Sequence, residues 1–202
     1  MFKSKILKPW EKAVALGLIA AVVISCISFS AECEKLREDV LRLHILANSD
    51  SEKDQRLKLK VRDEILEISG DIFDNCHSVD DAITAAKQKM PQIIKTAQQT
   101  VTNEGYDYTV TATLEKSYFN TRHYDDYTLP AGVYNAVRVV IGSGGGHNWW
   151  CVMYPSLCVP ASCDNYDSAL DDSERDIVEN YPKYEIKFKS VEIFEWLKNA
   201  LS

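Results

Sequence analysis

The chain has 202 residues, with 30 Asp and Glu against 23 Lys and Arg and a formal net charge of −7. That balance disfavours nucleic acid or an anionic lipid surface as a partner, since either would need a basic patch. About 170 residues beyond the N-terminal segment suffice for one domain with a real core.

Lys3, Lys5, Lys8 and Lys12 precede an uncharged stretch from Ala13 to Ala31, the charged and apolar regions of an export signal. Its densest apolar part, Ala13 to Ile24, has signal-peptide length, while the whole stretch is at the lower margin for a spanning helix. Ser28 and Ser30 are small residues at the spacing a signal peptidase reads, so cleavage after Ser30 or Ala31 and a retained anchor are both open. Val23-Ile24-Ser25-Cys26 also resembles a loose lipoprotein box with Cys26 as the lipidated residue, although apolar residues continue past it. The lysines hold the N-terminus on the cytoplasmic side and place the rest of the chain outside. Setting aside four lysines and Glu11 leaves 19 basic residues against 29 acidic ones, an acidic exported body of net charge −10. The expected organisation is an N-terminal signal or anchor over 1–31, an α+β domain over 32–163, and an acidic C-terminal extension with a closing helix over 164–202.

Val40 to Ala47 alternates as a strand in a mostly apolar environment and ends abruptly at Asn48-Ser49-Asp50-Ser51. A helix starts there, because Ser49 with Glu52, or Ser51 with Asp54, forms a capping-box pattern. Leu57, Val61, Ile65 and Ile68 give it one apolar stripe, with Lys58, Lys60, Arg62 and Asp63 largely off it. His44, Asn48, Ser49 and Asp50 gather at a strand end, where active sites of α/β proteins are often built. Capping alone accounts for the Ser and Asp residues, and His44 reads as a satisfied structural residue.

A second helical region runs from about Ser78 to Asn103, with Pro91 expected to kink or split it. Gly105 stops it, and the period switches to two at Tyr108, Val110, Ala112 and Leu114. Tyr118 to Tyr124, Val133 to Ile141 and Trp149 to Tyr154 read as three more strands, with Leu129-Pro130-Ala131-Gly132 as a turn. Short links between consecutive strands favour an antiparallel meander. The expected fold is therefore α+β: an antiparallel sheet of about five strands, packed against two long helical regions, with a C-terminal helix over Ser190 to Leu201.

Between the last two strands, Gly142-Ser143-Gly144-Gly145-Gly146-His147-Asn148 leads into Trp149-Trp150-Cys151. Neighbouring side chains of a strand point to opposite faces, so one indole enters the core on a given side and the other faces outward or a second layer. One reading is a long hairpin loop with both indoles covered by the protein's own helices. The other is a binding loop, Gly144, Gly145, Gly146 and Asn148, beside an aromatic anchor at Trp149 or Trp150, with Asn48, Ser49, Asp50 and Asp54 at the helix start as the next choice of contact surface.

Disulfides are the default for an exported protein. Cys151 and Cys158 enclose a short loop, and bonding them would stabilise the fold by about 2.5 kcal/mol on the chain-entropy model; Cys163 could replace either partner. Four histidines without a CxxC or HExxH pair give no metal site and no cofactor.

The segments LRLHILANSDSEKDQRLKLKVRDEIL, EGYDYTVTATL, YFNTRHY, LPAGVYNAVRVVIG and GGGHNWWCVMYPSLC, in that order, resemble the stage II sporulation protein R family over roughly Leu36 to Val159. The resemblance implies a non-enzymatic signalling protein, made in the forespore and exported into the space between the two membranes. Its partner would be a membrane-embedded aspartic protease that cuts the precursor of a mother-cell sigma factor, with the membrane contacted only through the N-terminal segment. No catalytic residue is carried over. Two other classes fit the residues: a Cys/His hydrolase using Cys151 with His147 or the His44 and Asp50 cluster, and a wall-associated module stacking its aromatic side chains on sugar or peptide.

Overall fold

Leu41–Leu46, strand β1, is buried at every position and organises the sheet. A computed structural model describes residues 8–124, 127–155 and 170–201. Helix α1 (Pro9–Glu38) leads into β1, followed by α2 (Glu52–Phe73), α3 (Val79–Asn103), β2 (Val110–Phe119), β3 (Arg122–His123) and β4 (Thr128–Leu129). Then come β5 (Gly132–Ile141), β6 (Asn148–Tyr154), α4 (Asp172–Glu179) and α5 (Tyr181–Leu201).

The class is α+β, as expected, but the sheet is mixed. Its order is β2-β5-β1-β6, with β3 and β4 as a separate two-stranded ribbon. β1 pairs parallel to β5, Leu43 opposite Val137, and antiparallel to β6, Leu43 opposite Cys151. β5 and β6 are thus not a hairpin, because β1 lies between them. The meander fails at that point: short links make β5 and β6 antiparallel, yet adjacency in sequence does not oblige them to touch. β1 is apolar enough for the centre of the sheet, where both faces are covered.

One face carries α2 and α3. Leu43, Ile45, Val137 and Val139 of the sheet meet Leu57, Val61 and Ile65 of α2 and Ala86, Ile93 and Ala97 of α3. The helices start where Ser51 and Ser78 each accept the backbone N–H three residues on, from Asp54 and Asp81. α3 runs through Pro91 as one helix, with the proline on its exposed side. The opposite face is covered by the end of α1 with α4 and α5: Phe29, Cys33 and Leu36 pack with Tyr134, Val152, Ile177, Phe188 and Val191. The expected boundary at residue 31 therefore falls inside one continuous helix. The acidic C-terminal extension, where only a closing helix was expected, also contains α4, started by a reciprocal Asp171 and Glu174 capping box. The closing helix begins at Tyr181 rather than Ser190.

Arg42 and His44 point to this second face. Arg42 is fully buried, with its guanidinium 4.1 Å from the Phe119 ring centroid and 4.9 Å from that of Tyr134, and it donates to the Tyr124 hydroxyl. Aromatic faces thus replace water around the cation. Arg37, at the end of α1, donates to the Ala131 carbonyl at 2.8 Å, and its side chain fills the space in which a Gly132 Cβ would stand.

Candidate functional site

Two segments singled out separately in the sequence meet at one end of the sheet. Because β5 and β6 flank β1, the loop joining them must pass over the end of β1, where Ala47 and Asn48 lead into α2. Gly145 N–H donates to the Asn48 carbonyl at 3.2 Å and Gly146 N–H to the Ala47 carbonyl at 3.0 Å. Asn48 Oδ1 accepts from Ser143 N–H at 3.0 Å, and the Ser143 hydroxyl donates to the Asn48 carbonyl at 2.7 Å. His147 closes the far side, its backbone N–H and its ring Nδ1 both against Asp50 Oδ1.

The glycines follow from this crossing. Gly142 and Gly144 have φ of 59° and 65°, the left-handed region that glycine enters without a Cβ penalty. A Cβ on Gly142 would lie 2.3 Å from Asn48 Oδ1, and one on Gly146 would lie 2.3 Å from the Ser49 carbonyl oxygen. Gly145 differs, since a Cβ there meets its nearest atom at 3.5 Å.

Asp54 is the buried centre of the turn. Its Oδ2 accepts from Asn48 Nδ2 at 2.9 Å and from the Ser49 hydroxyl at 2.6 Å. Burial opposes its charge, but hydrogen bonds from Ser49, Asn48, Tyr108 and Ser51 outweigh it and hold the carboxyl below the usual range. The His147 backbone N–H and then its side chain likewise lower Asp50. Gln55 Nε2 donates to the Ser49 carbonyl at 2.9 Å. Lys58, placed off the apolar stripe of α2 by its spacing, is buried and donates to the His147 carbonyl at 2.9 Å; burial lowers its pKa. Ser143, Gln55 and Lys58 are the members that sequence reasoning missed. Only the crossing of chain segments reveals them, since nothing in their local spacing marks a loop contact.

The two indoles part as alternation requires, but a second layer, rather than solvent, receives Trp150. Trp149 is half-buried on the α2 side, its ring 4.5 Å from the Arg62 guanidinium carbon. Trp150 is half-buried on the other side, stacked on His44 at 3.8 Å and edge-on to Phe119 at 4.7 Å. His44 is buried, and desolvation followed by the Arg138 charge lowers its pKa to about 4. It is a neutral ring in a stack, remote in character from a proton-transfer group at neutral pH. The outward surface of the site is therefore polar: Asp50, Ser143, Gly145, His147 and Asn148 are exposed, with Asn48 and Ser49 half-buried beneath them.

Cys151 is buried and disulfide-bonded, which removes it as a nucleophile. Cys158 and Cys163 lie outside the described residues; Cys26, Cys33 and Cys76 are free thiols. Among the described residues no group of three or more His, Cys, Asp or Glu side chains is placed to hold a metal ion.

The profile of the family described as stage II sporulation protein R matches residues 37–164, which include the entire site. Stage II sporulation protein R of Bacillus subtilis (strain 168) is 36% identical over 121 residues, covering 60% of this chain and 54% of that protein. The chain thus spans about half the length of the curated relative it matches. No solved structure matches it.

Proposed function

The chain belongs to the stage II sporulation protein R family, and from that premise we propose that its body is an extracytoplasmic ligand that activates a membrane-embedded aspartic protease, which then cuts a mother-cell sigma-factor precursor. Family membership carries this reading. Three features support it. The apolar stretch of α1 suits export or anchoring. The matched segment holds an exposed polar platform braced by the turn after β1, so the surface is preorganised and little ordering cost falls on association. The disulfide on Cys151 at the platform strand suits an oxidising compartment. Activation is a population shift, in which the ligand binds the active protease better than the inactive form.

The contact surface in this proposal is the platform of Asp50, Ser143, Gly145, His147 and Asn148. Gly145 supplies the test, because a side chain there meets only ordinary contacts and projects from the exposed loop. In cells carrying the protease and the precursor, coexpression of the protein should produce the cut form on an immunoblot, and Gly145→Arg should lower its yield at least tenfold at unchanged abundance. An uncut precursor beside folded, exported wild-type protein would sink the activator reading. Undiminished cutting with both Gly145→Arg and the double substitution Asp50→Ala, His147→Ala would move the contact elsewhere.

A further inference from the structure

Strand β2 is at one edge of the sheet, and its outer side is open over most of its length. Gly142 N–H donates to the Thr109 carbonyl at 2.9 Å, which sets the parity of the ladder. The backbone groups of Thr111, Thr113, Glu115 and Ser117 turn to β5, and those of Val110, Ala112, Leu114 and Lys116 turn outward. Gln98 of α3 caps the start of this edge as a neighbouring strand would: its Nε2 donates to the Tyr108 carbonyl at 2.9 Å, and its Oε1 accepts from Val110 N–H at 2.8 Å. Beyond that cap, the outward N–H and C=O groups of Ala112, Leu114 and Lys116 have no protein partner among the described residues.

An open edge invites another strand, and proteins blunt such edges with proline, bulges or unpaired charge. β2 uses none of these. It holds ten residues in unbroken register with β5, contains no proline, and carries no net charge, since Glu115 is beside Lys116. It is also self-complementary. Two copies related by a two-fold axis pair antiparallel, and setting Leu114 opposite its own copy matches Ala112 with Lys116, Thr113 with Glu115 and Thr111 with Ser117. That register engages every open backbone group. Sliding by one pairing step in one direction sets Glu115 against Glu115, which like-charge repulsion opposes; sliding in the other calls on Val110 N–H, which Gln98 already holds. Gln98 also lines, with Pro91, Ile94 and Lys95, a shallow groove of about 560 Å³ on α3 beside this edge, which a second copy would cover.

We propose that β2 pairs with β2 of a second copy across a two-fold axis at Leu114, so that the two four-stranded sheets continue as one. The dimer carries two copies of the glycine-loop platform in one fixed relation. Linked sites hold a surface bearing two targets more tightly than either does alone.

The full chain, purified in density-matched detergent, should sediment with the protein mass of a pair; a monomer at every soluble concentration would overturn the proposal. Leu114→Cys should form an interchain disulfide on mild oxidation, since opposed Cα atoms of a hydrogen-bonded pair are about 5.5 Å apart. Thr111→Cys, exposed but far from its own copy in this register, should cross-link no more than wild type, whose native cysteines set the background. Equal cross-linking of the two variants, or none by Leu114→Cys, would overturn the pairing. Lys116→Pro removes an N–H that β5 does not use, so the melt followed by circular dichroism should be unchanged while dimerisation weakens at least about tenfold. Lys116→Glu, which alters only an exposed charge, guards against misfolding of the proline variant and should weaken the dimer in the same direction; undiminished pairing of folded Lys116→Glu would also overturn the proposal. These readouts follow mass and cross-linking, so they stand apart from success or failure of signalling.

Discussion

Gly146→Ala adds one methyl group at the tightest point of the loop crossing. The new Cβ would lie 2.3 Å from the Ser49 carbonyl oxygen, 2.5 Å from its carbon and 3.0 Å from its Cα. All three are backbone atoms, so no side-chain rotation relieves the overlap, and the loop must retreat by about 1 Å to reach ordinary contact. That retreat stretches the 3.0 Å bond from Gly146 N–H to the Ala47 carbonyl. Overpacking costs about 1–3 kcal/mol and a weakened hydrogen bond about 0.5–1.5 kcal/mol, so a loss of about 2–4 kcal/mol is expected. For a domain of this size that lowers the melting temperature by about 4–16 °C. Gly145→Ala is the internal control, since its Cβ meets nothing closer than 3.5 Å, and it should melt within about 2 °C of wild type. Circular dichroism melts of the purified full chain in detergent decide between them. Equal melting of the two variants would refute the loop crossing as described.

Asp54→Asn keeps the size of the side chain and removes the charged acceptor of Asn48 and Ser49, which should cost about 1–3 kcal/mol in urea unfolding; because the Asp54 pKa is lowered on folding, the wild type should lose this stability as pH falls below the value of about 3.9 usual for an unfolded Asp, and the variant should not. His44 titrates at about 4 instead of 6.5, so the unfolded chain binds the extra proton between those values and stability should fall by up to about 3 kcal/mol as pH drops across that window. His44→Phe should flatten that limb of the pH–stability curve while keeping a ring against Trp150. Trp149→Ala and Trp150→Ala should each destabilise the fold, by about 2–4 kcal/mol, because both indoles are half-buried in opposite cores; two neutral variants in urea unfolding would contradict that packing.

The helices and most strands were legible in the sequence because each depends on neighbours a few residues away: the Ser51 cap, the stripe of Leu57, Val61 and Ile65, and the switch to period two after Gly105. The capping pair Asp171 and Glu174 was equally legible in principle, but the charge of the surrounding stretch masked it. Strand order was not readable. β1 lies between β5 and β6 because its apolar side chains gain most at the centre, and that preference compares segments about ninety residues apart. The same distance hid the site's unity. Asn48 to Asp54 and the glycine loop each carried a local signal, as cap and as turn, whereas their joining required knowing that the loop crosses β1. The burial of Lys58 follows from that crossing too, since its ammonium finds the His147 carbonyl only once the loop is overhead.

The central place of β1 also constrains when the molecule can fold. Its partners on both sides, residues 132–154, are synthesised long after it, so the strand must wait with its backbone groups bonded to water until nearly the whole matched segment is present. Pairings of such high sequence separation close more slowly than local contacts do. A chain that traverses a membrane through a narrow channel has to stay open until it is across. In the export proposed for this chain, the delay lies in strand order itself: the first strand across cannot take its place until the last one arrives.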